Sequence, residues 1–254
     1  IMIVTAFAAL VASGSAPRAS IAMGRGDRDT AEKLLGGSFS LQIAISLTLT
    51  AVLLLFGHEF LLAFGASENT IEYADNYLNI YAFGTLFVEL TLGMNAFITA
   101  QGFATTGMMT VLIGAVCNIV LDPILIFGLL GFPRMEVAGA AVATIVGQFV
   151  GAGLGLFMNL KKNPEVQIHL KDIRPHRATV ADIYAIGIPS IIMQSIGSVM
   201  MFGMNKILIS FTEAATAVFG AYFKLQSFIF MPCFGLNNAM VPIVSYNYGA
   251  QKFD

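Results

Sequence analysis

The sequence predicts an all-α fold, a polytopic bundle of membrane helices, and three observations carry that prediction. Hydrophobic residues make up 57% of the chain and charged residues 11%, where an ordinary soluble domain is about 25% charged. The mean hydropathy is +0.79. Apolar runs long enough to cross about 30 Å of hydrocarbon recur between short polar segments. The apolar/polar alternation that marks a membrane barrel is missing. In lipid, a helix satisfies its own backbone groups, so these runs read as helices.

In order, the first run, Ile1 to Ala12, is too short to span and lacks a basic leader, so it reads as the tail of a truncated helix rather than a signal peptide. Ser13 to Gly37 follows as a polar segment with Arg18, Arg25, Arg28 and Lys33. Runs at about Ser38 to Phe56 and Ile71 to Ala100 come next, joined by a segment with Glu59 and Glu68 and no Lys or Arg. After a short turn, Val111 to Gly131 reads as a span with Asp122 near its middle, followed by a run at about Ala138 to Leu160. Lys161 to Ala181 is the most polar stretch, and two further runs, about Ile183 to Phe211 and Ala214 to Val244, complete the chain.

Basic residues concentrate in alternate connections, which places 13–37, 161–181 and the C-terminal end in the cytoplasm by the positive-inside rule. The two ends of the chain also resemble each other. Pro17, Ser20 and Gly24 match Pro242, Ser245 and Gly249 at a common offset, and each copy closes an apolar run. With six spans between equivalent points, this is a parallel repeat, a pattern frequent in secondary transporters. It divides the chain into an amino-terminal lobe (1–160), a cytoplasmic linker (161–181) and the start of a carboxyl-terminal lobe (182–254).

Packing and chemistry can be read from spacing. Gly139, Ala143, Gly147, Gly151 and Gly155 recur every four residues, a ridge of small side chains on which another helix can lie closely. Thr144 and Gln148 form a polar pair beside it. Pro123, Pro189 and Pro232 fall in apolar runs and read as kinks. Asp122 is the first functional candidate, because an acid in the hydrocarbon costs about 2.5–3.5 kcal/mol on insertion scales and marks an ion or substrate path. Asn118 lies four residues before it and shares its helix face, while Pro123 loosens the carbonyl ladder, so carboxylate, amide and carbonyl together could bind a proton or Na+. The bland reading is a structural Asp that holds helices together. Glu89, Gln148, Gln194 and Lys224 are candidate cavity or substrate residues. Cys117 and Cys233 read as two buried apolar thiols. No structural metal set, nucleotide loop or nucleophile elbow occurs, so neither an enzyme nor a cofactor is expected.

The motifs Asn118-Ile119-Val120-Leu121-Asp122-Pro123, Gly139-Ala140-Ala141-Val142-Ala143-Thr144, Gly187-Ile188-Pro189-Ser190 and the paired Pro-x-x-Ser-x-x-x-Gly ends resemble the multidrug and toxic compound extrusion (MATE) family. The resemblance runs along the whole chain and places it from late in helix two to just beyond helix eight of twelve, the rest of its own chain completing two pseudo-symmetric six-helix lobes. It implies a multi-pass plasma-membrane antiporter, driven by H+ or Na+, that exports small organic, often cationic, compounds by alternating access, with the lipid bilayer as partner and no nucleic acid. It also implies an amino-lobe cation site in which Asn118 and Asp122 match a helix-five Asn and Asp and Thr144 matches a helix-six Thr, together with a helix-one Asp outside this sequence. A second branch of the family uses a helix-seven acid, but from Ile188 to Ser210 this chain offers only Gln194 and Asn205. The alternatives are a lipid-linked oligosaccharide flippase of the same superfamily, expected to line its cavity with basic residues, and a non-transporting membrane scaffold.

Overall fold

The computed structural model describes residues 2–63, 70–161, 177–209 and 211–252. Among the described residues seven α-helices follow one another: α1 Met2–Gly24, α2 Arg28–Ala63, α3 Ile71–Ala100, α4 Ala104–Phe127, α5 Glu136–Lys161, α6 Arg177–Ile209 and α7 Glu213–Gly249, with a 3-10 turn at Leu129–Gly131. Six of them are long and apolar enough to cross a membrane. Among the described residues there is no strand.

The runs at Ile71 to Ala100 and Ala138 to Leu160 coincide with α3 and, within two residues, with α5. Four other readings need correction. The segment 13–37 is not a loop: α1 continues through Pro17 to Gly24, α2 begins at Arg28, and only Arg25–Asp27 turns. Helix continues there because burial rewards it. Ala16, Ala19 and Met23 of α1 pack with Leu34 and Leu35 of α2 and with Met94 and Phe97 of α3, while the Ser20 hydroxyl donates to the Ala100 carbonyl at 3.1 Å. Arg18, read as a loop residue, sits on the helix and pairs with Asp182 at 3.0 Å. Gly26 turns the chain with φ +76, a conformation that needs no Cβ. Asp27 then caps α2, accepting from the Thr30 amide at 3.1 Å and the Thr30 hydroxyl at 2.6 Å.

The second correction concerns α4, which runs from Ala104 to Phe127 rather than from 111 to 131. Gly128 ends it in the left-handed conformation, φ 72 and ψ 42, and donates its amide to the Ile124 carbonyl. Asp122 therefore lies five residues, about 7.5 Å at 1.5 Å per residue, from the end of its helix instead of at its centre. At the linker, α6 begins at Arg177, which shortens the predicted 161–181 segment, and 162–176 fall outside the described residues. Cys117 is half-buried and Cys233 exposed, contrary to the reading of two buried thiols.

An apolar core joins α1, α2, α3 and α6 through Leu10, Val11, Ile45, Leu49, Val88 and Ile183. The matched chain ends meet in space. A Cβ on Gly24 would strike the Tyr246 carbonyl, and a Cβ on Gly249 would strike the Ile21 carbonyl. Tyr246 stands to Ile21 as Gly249 stands to Gly24, so α1 and α7 cross with equivalent residues in reciprocal contact. That crossing shares one end of the bundle with the Ser20–Ala100 bond and the Arg18–Asp182 pair.

Candidate functional site

The ridge predicted on α5 is a seat for two helices. Gly139 meets the Leu125 backbone of α4 and Gly147 the Gly114 carbonyl, a Cβ on either coming within 2.7 Å, and Gly114 meets the Gly147 carbonyl in return. Further along, Gly151 lies against Thr91 and Gly155 against Met94, both on α3. Small residues matter here because only they let two backbones approach so closely.

This approach assembles the site. A Cβ on Gly147 would lie 3.2 Å from the Asn118 Cβ, so the glycine admits Asn118 to the face of α5. The Asn118 Nδ2 stands 3.4 Å from the Thr144 Oγ1 and 3.5 Å from an Asp122 carboxyl oxygen. Thr144 donates its own proton to the Ala140 carbonyl at 2.9 Å, which leaves its oxygen lone pairs facing the amide. The contacts are long for hydrogen bonds, whose usual N–H···O range is about 2.7–3.2 Å, so the three groups converge without being locked. All three are half-buried. Among the described residues no Lys, Arg or His pairs with Asp122. A carboxylate, an amide and a hydroxyl brought together without a fixed cation offer hard oxygen donors of the kind that suit a proton or Na+. No cluster of three His, Cys, Asp or Glu residues occurs among the described residues.

The other four candidates part company with this trio. Gln148 is half-buried, and its backbone carbonyl accepts the Thr91 hydroxyl at 3.0 Å. The side chain of Gln194 lies outside the described residues. Lys224 is exposed on α7. Glu89, read as a cavity residue, is instead 0% exposed and sealed against neighbouring helices. The turn that carries it faces the bundle interior, which a mid-run position alone does not reveal.

Sequence reasoning missed a cleft. About 530 Å³ in volume, it opens between α1, α3 and α7 and takes its polar groups from Ser13, Asn95, Thr99, Asn237 and Asn238. Among the described residues no charged side chain lines it. At the repeat offset, Ser13 corresponds to Asn238, so the cleft straddles the line relating the two copies. A neighbouring cleft of about 370 Å³ carries Gln101, Tyr246 and Asn247. The available signal was a pair of adjacent amides one turn before Pro242 in an otherwise apolar run.

A family model, MatE, matches residues 1–124 and 189–254. The multidrug export protein MepA of Staphylococcus haemolyticus (strain JCSC1435) is 29% identical over 229 residues, 89% of this chain and 50% of that protein. MepA of Staphylococcus aureus (strain NCTC 8325 / PS 47) gives the same identity and coverage. The chain thus spans about half the length of the curated relatives it matches. Among solved structures, MATE in the bent conformation superposes with a TM-score of 0.90 at 27% identity, over 99% of this chain and 56% of that one. The outward-facing conformation of a multidrug resistance MATE family transporter gives 0.89 at 26% identity, over 98% and 55%.

Proposed function

The chain belongs to the MatE family, and we propose that the intact protein is a secondary transporter that exports organic, often cationic, compounds in exchange for H+ or Na+. The observation that carries this reading is the meeting of Asn118, Asp122 and Thr144 from two helices with no cationic partner among the described residues. A fixed Lys or Arg would have made Asp122 structural. Left unpaired, it has a charge to offer to an ion that comes and goes.

In this account the ion neutralises Asp122 beside the α4/α5 seam, and the exported compound occupies the clefts between α1, α3 and α7. Their lining of amides, hydroxyls and small apolar groups suits organic molecules with a few polar atoms. A flippase handling a pyrophosphate needs basic groups there, and neither cleft has one. The division into lobes at 161–181 and the cytoplasmic placement of the basic segments belong to the same proposal. The relatives named for multidrug export support it, as does the likeness to MATE structures.

The test is efflux of a fluorescent organic cation from proteoliposomes holding the intact protein, under an imposed H+ or Na+ gradient. Asp122→Asn keeps the shape and removes the charge, and it is expected to reduce gradient-driven efflux to the leak of empty liposomes. Unchanged coupled efflux in that variant would overturn the proposal.

A further inference from the structure

A second polar seam lies between α2 and α3. On α2, Ser38, Gln42 and Ser46 recur every four residues, and on α3, Thr85, Glu89 and Gly93 do the same. Each of the five polar side chains is 0% exposed. The antiparallel register follows from three contacts: Gly57 against Leu78, the Thr50 hydroxyl to the Ala82 carbonyl at 2.9 Å, and the Gln42 amide against Gly93, where any Cβ would displace it. Between the last two, Ser46 falls opposite the turn that carries Glu89. Ser46 donates to the Ile43 carbonyl at 2.9 Å. Both carboxyl oxygens of Glu89, both amide atoms of Gln42 and the Thr85 hydroxyl have no hydrogen-bond partner among the described residues.

Among the described residues no cation pairs with Glu89 from a helix packed on this seam. On α1 the charge is Arg18, paired with Asp182 of α6. On α2 the nearest basic groups are Lys33, about two and a half turns from Gln42, and His58, more than about three turns from Ser46. His58 pairs with Asp75 at 2.6 Å and Lys33 with Asp29. The other titratable groups of α3 are Glu72, Asp75, Tyr73, Tyr77 and Tyr81, all two or more turns before Glu89. On α5 the charges are Glu136 and Lys161 at its two ends, and α6 adds Tyr184, with Arg177 at its start and Lys206 in its last turn both exposed. A bare carboxylate is not held among apolar side chains without a donor or a counter-ion.

We propose that Glu89 is a second cation-binding residue, one that takes a proton or a sodium ion in the α2/α3 seam with Gln42, Ser46 and Thr85 as its oxygen-bearing neighbours. A proton would turn the carboxyl into a donor for the unpartnered Gln42 or Thr85 oxygen. A sodium ion would draw on the same oxygens directly. Because Glu89 is sealed, exchange waits on α2 parting from α3, so occupancy of this seam is tied to movement inside the lobe. The two cation sites lie on opposite sides of the chain's packing, Asp122 at α4/α5 and Glu89 at α2/α3.

The experiment measures proton uptake and 22Na+ binding by the purified intact protein as pH is stepped, with sodium or choline as the salt. Glu89→Gln is expected to lose one of two sodium-sensitive exchange steps, Asp122→Asn the other, and the double variant both. If proton uptake carries the loss in choline, the occupant is a proton; if 22Na+ carries it, the occupant is sodium. A folded Glu89→Gln that exchanges as much as the wild type overturns the proposal, and it does so whatever Asp122→Asn shows. Should Glu89→Gln fail to fold, Gln42→Met decides, since it leaves the carboxyl in place: a shifted midpoint for one exchange step supports the site, and an unmoved midpoint refutes it.

Discussion

The molecule uses one packing device at three crossings, α1/α6 (Gly14 and Gly187), α4/α5 and α1/α7, and the last two differ in what surrounds them. At α4/α5, Gly114 and Gly147 each receive the other's carbonyl, and the contact continues along α5 through Gly139. At α1/α7, Gly24 and Gly249 receive the carbonyls of Tyr246 and Ile21, but clefts of about 530 and 370 Å³ open beside that contact. A crossing backed along its length by further small residues is built to stay shut. One flanked by clefts that carry a few polar groups has room beside it to part. The first holds Asn118 against Thr144, and the second closes one end of the cleft in which we place the exported compound.

Breaking the separable crossing should have the largest effect. Gly24→Val or Gly249→Val drives a side chain into a carbonyl, and overpacking of this kind costs about 1–3 kcal/mol. Charged against the closed state alone, that is a shift of about 5- to 150-fold toward the parted state. Distance distributions between spin labels on the ends of α1 and α7 would report it, with little change in thermal stability. In contrast, Gly147→Ala should cost a similar energy as stability, lowering the unfolding midpoint while the α1/α7 distances stay as they are. If the labels moved as much in Gly147→Ala as in Gly24→Val, the distinction between a fixed and a parting crossing would fail.

The smallest effect is expected at Asp27, in the turn just beyond Gly24. Its two bonds from Thr30, the side-chain one first, hold the Asp27 carboxyl below its ordinary range, against a smaller opposing effect of burial. A lowered folded-state value means that the stabilisation is complete above the ordinary carboxylate range and is lost as pH falls through the lowered value. Asp27→Ala should therefore be slightly less stable at neutral pH and indistinguishable from wild type in strong acid, as denaturation at both pH values would show. Neither crossing should respond.

Much of this was legible in the sequence, and the failures have physical causes. Uninterrupted apolar runs gave α3 and α5 because nothing competes with helix in lipid. Spacing by four gave the Asn118–Asp122 face and the α5 ridge, and the resemblance added Thr144, which the glycines bring within reach. The 13–37 segment was misread because its charges were counted as loop, whereas an arginine at a helix end can bury its stem and reach out to a partner, as Arg18 does to Asp182. The end of α4 shifted because Gly128 takes a left-handed conformation before the apolar run is exhausted. For Glu89, position in a run gives depth but not azimuth, and only the α2/α3 register shows that it faces Gln42 and not a cavity. The cleft amides Asn237 and Asn238 carry no charge and barely disturb the hydropathy around them.

The most direct test joins the two crossings in one measurement. Spin labels at positions 25 and 251, in an intact protein with Cys117 and Cys233 replaced, report the α1/α7 separation while H+ or Na+ is varied. The account predicts that the separation changes with the ion in the otherwise wild-type protein and is fixed in Asp122→Asn. A variant lacking the Asp122 charge that still opens and closes in step with the ion would contradict it.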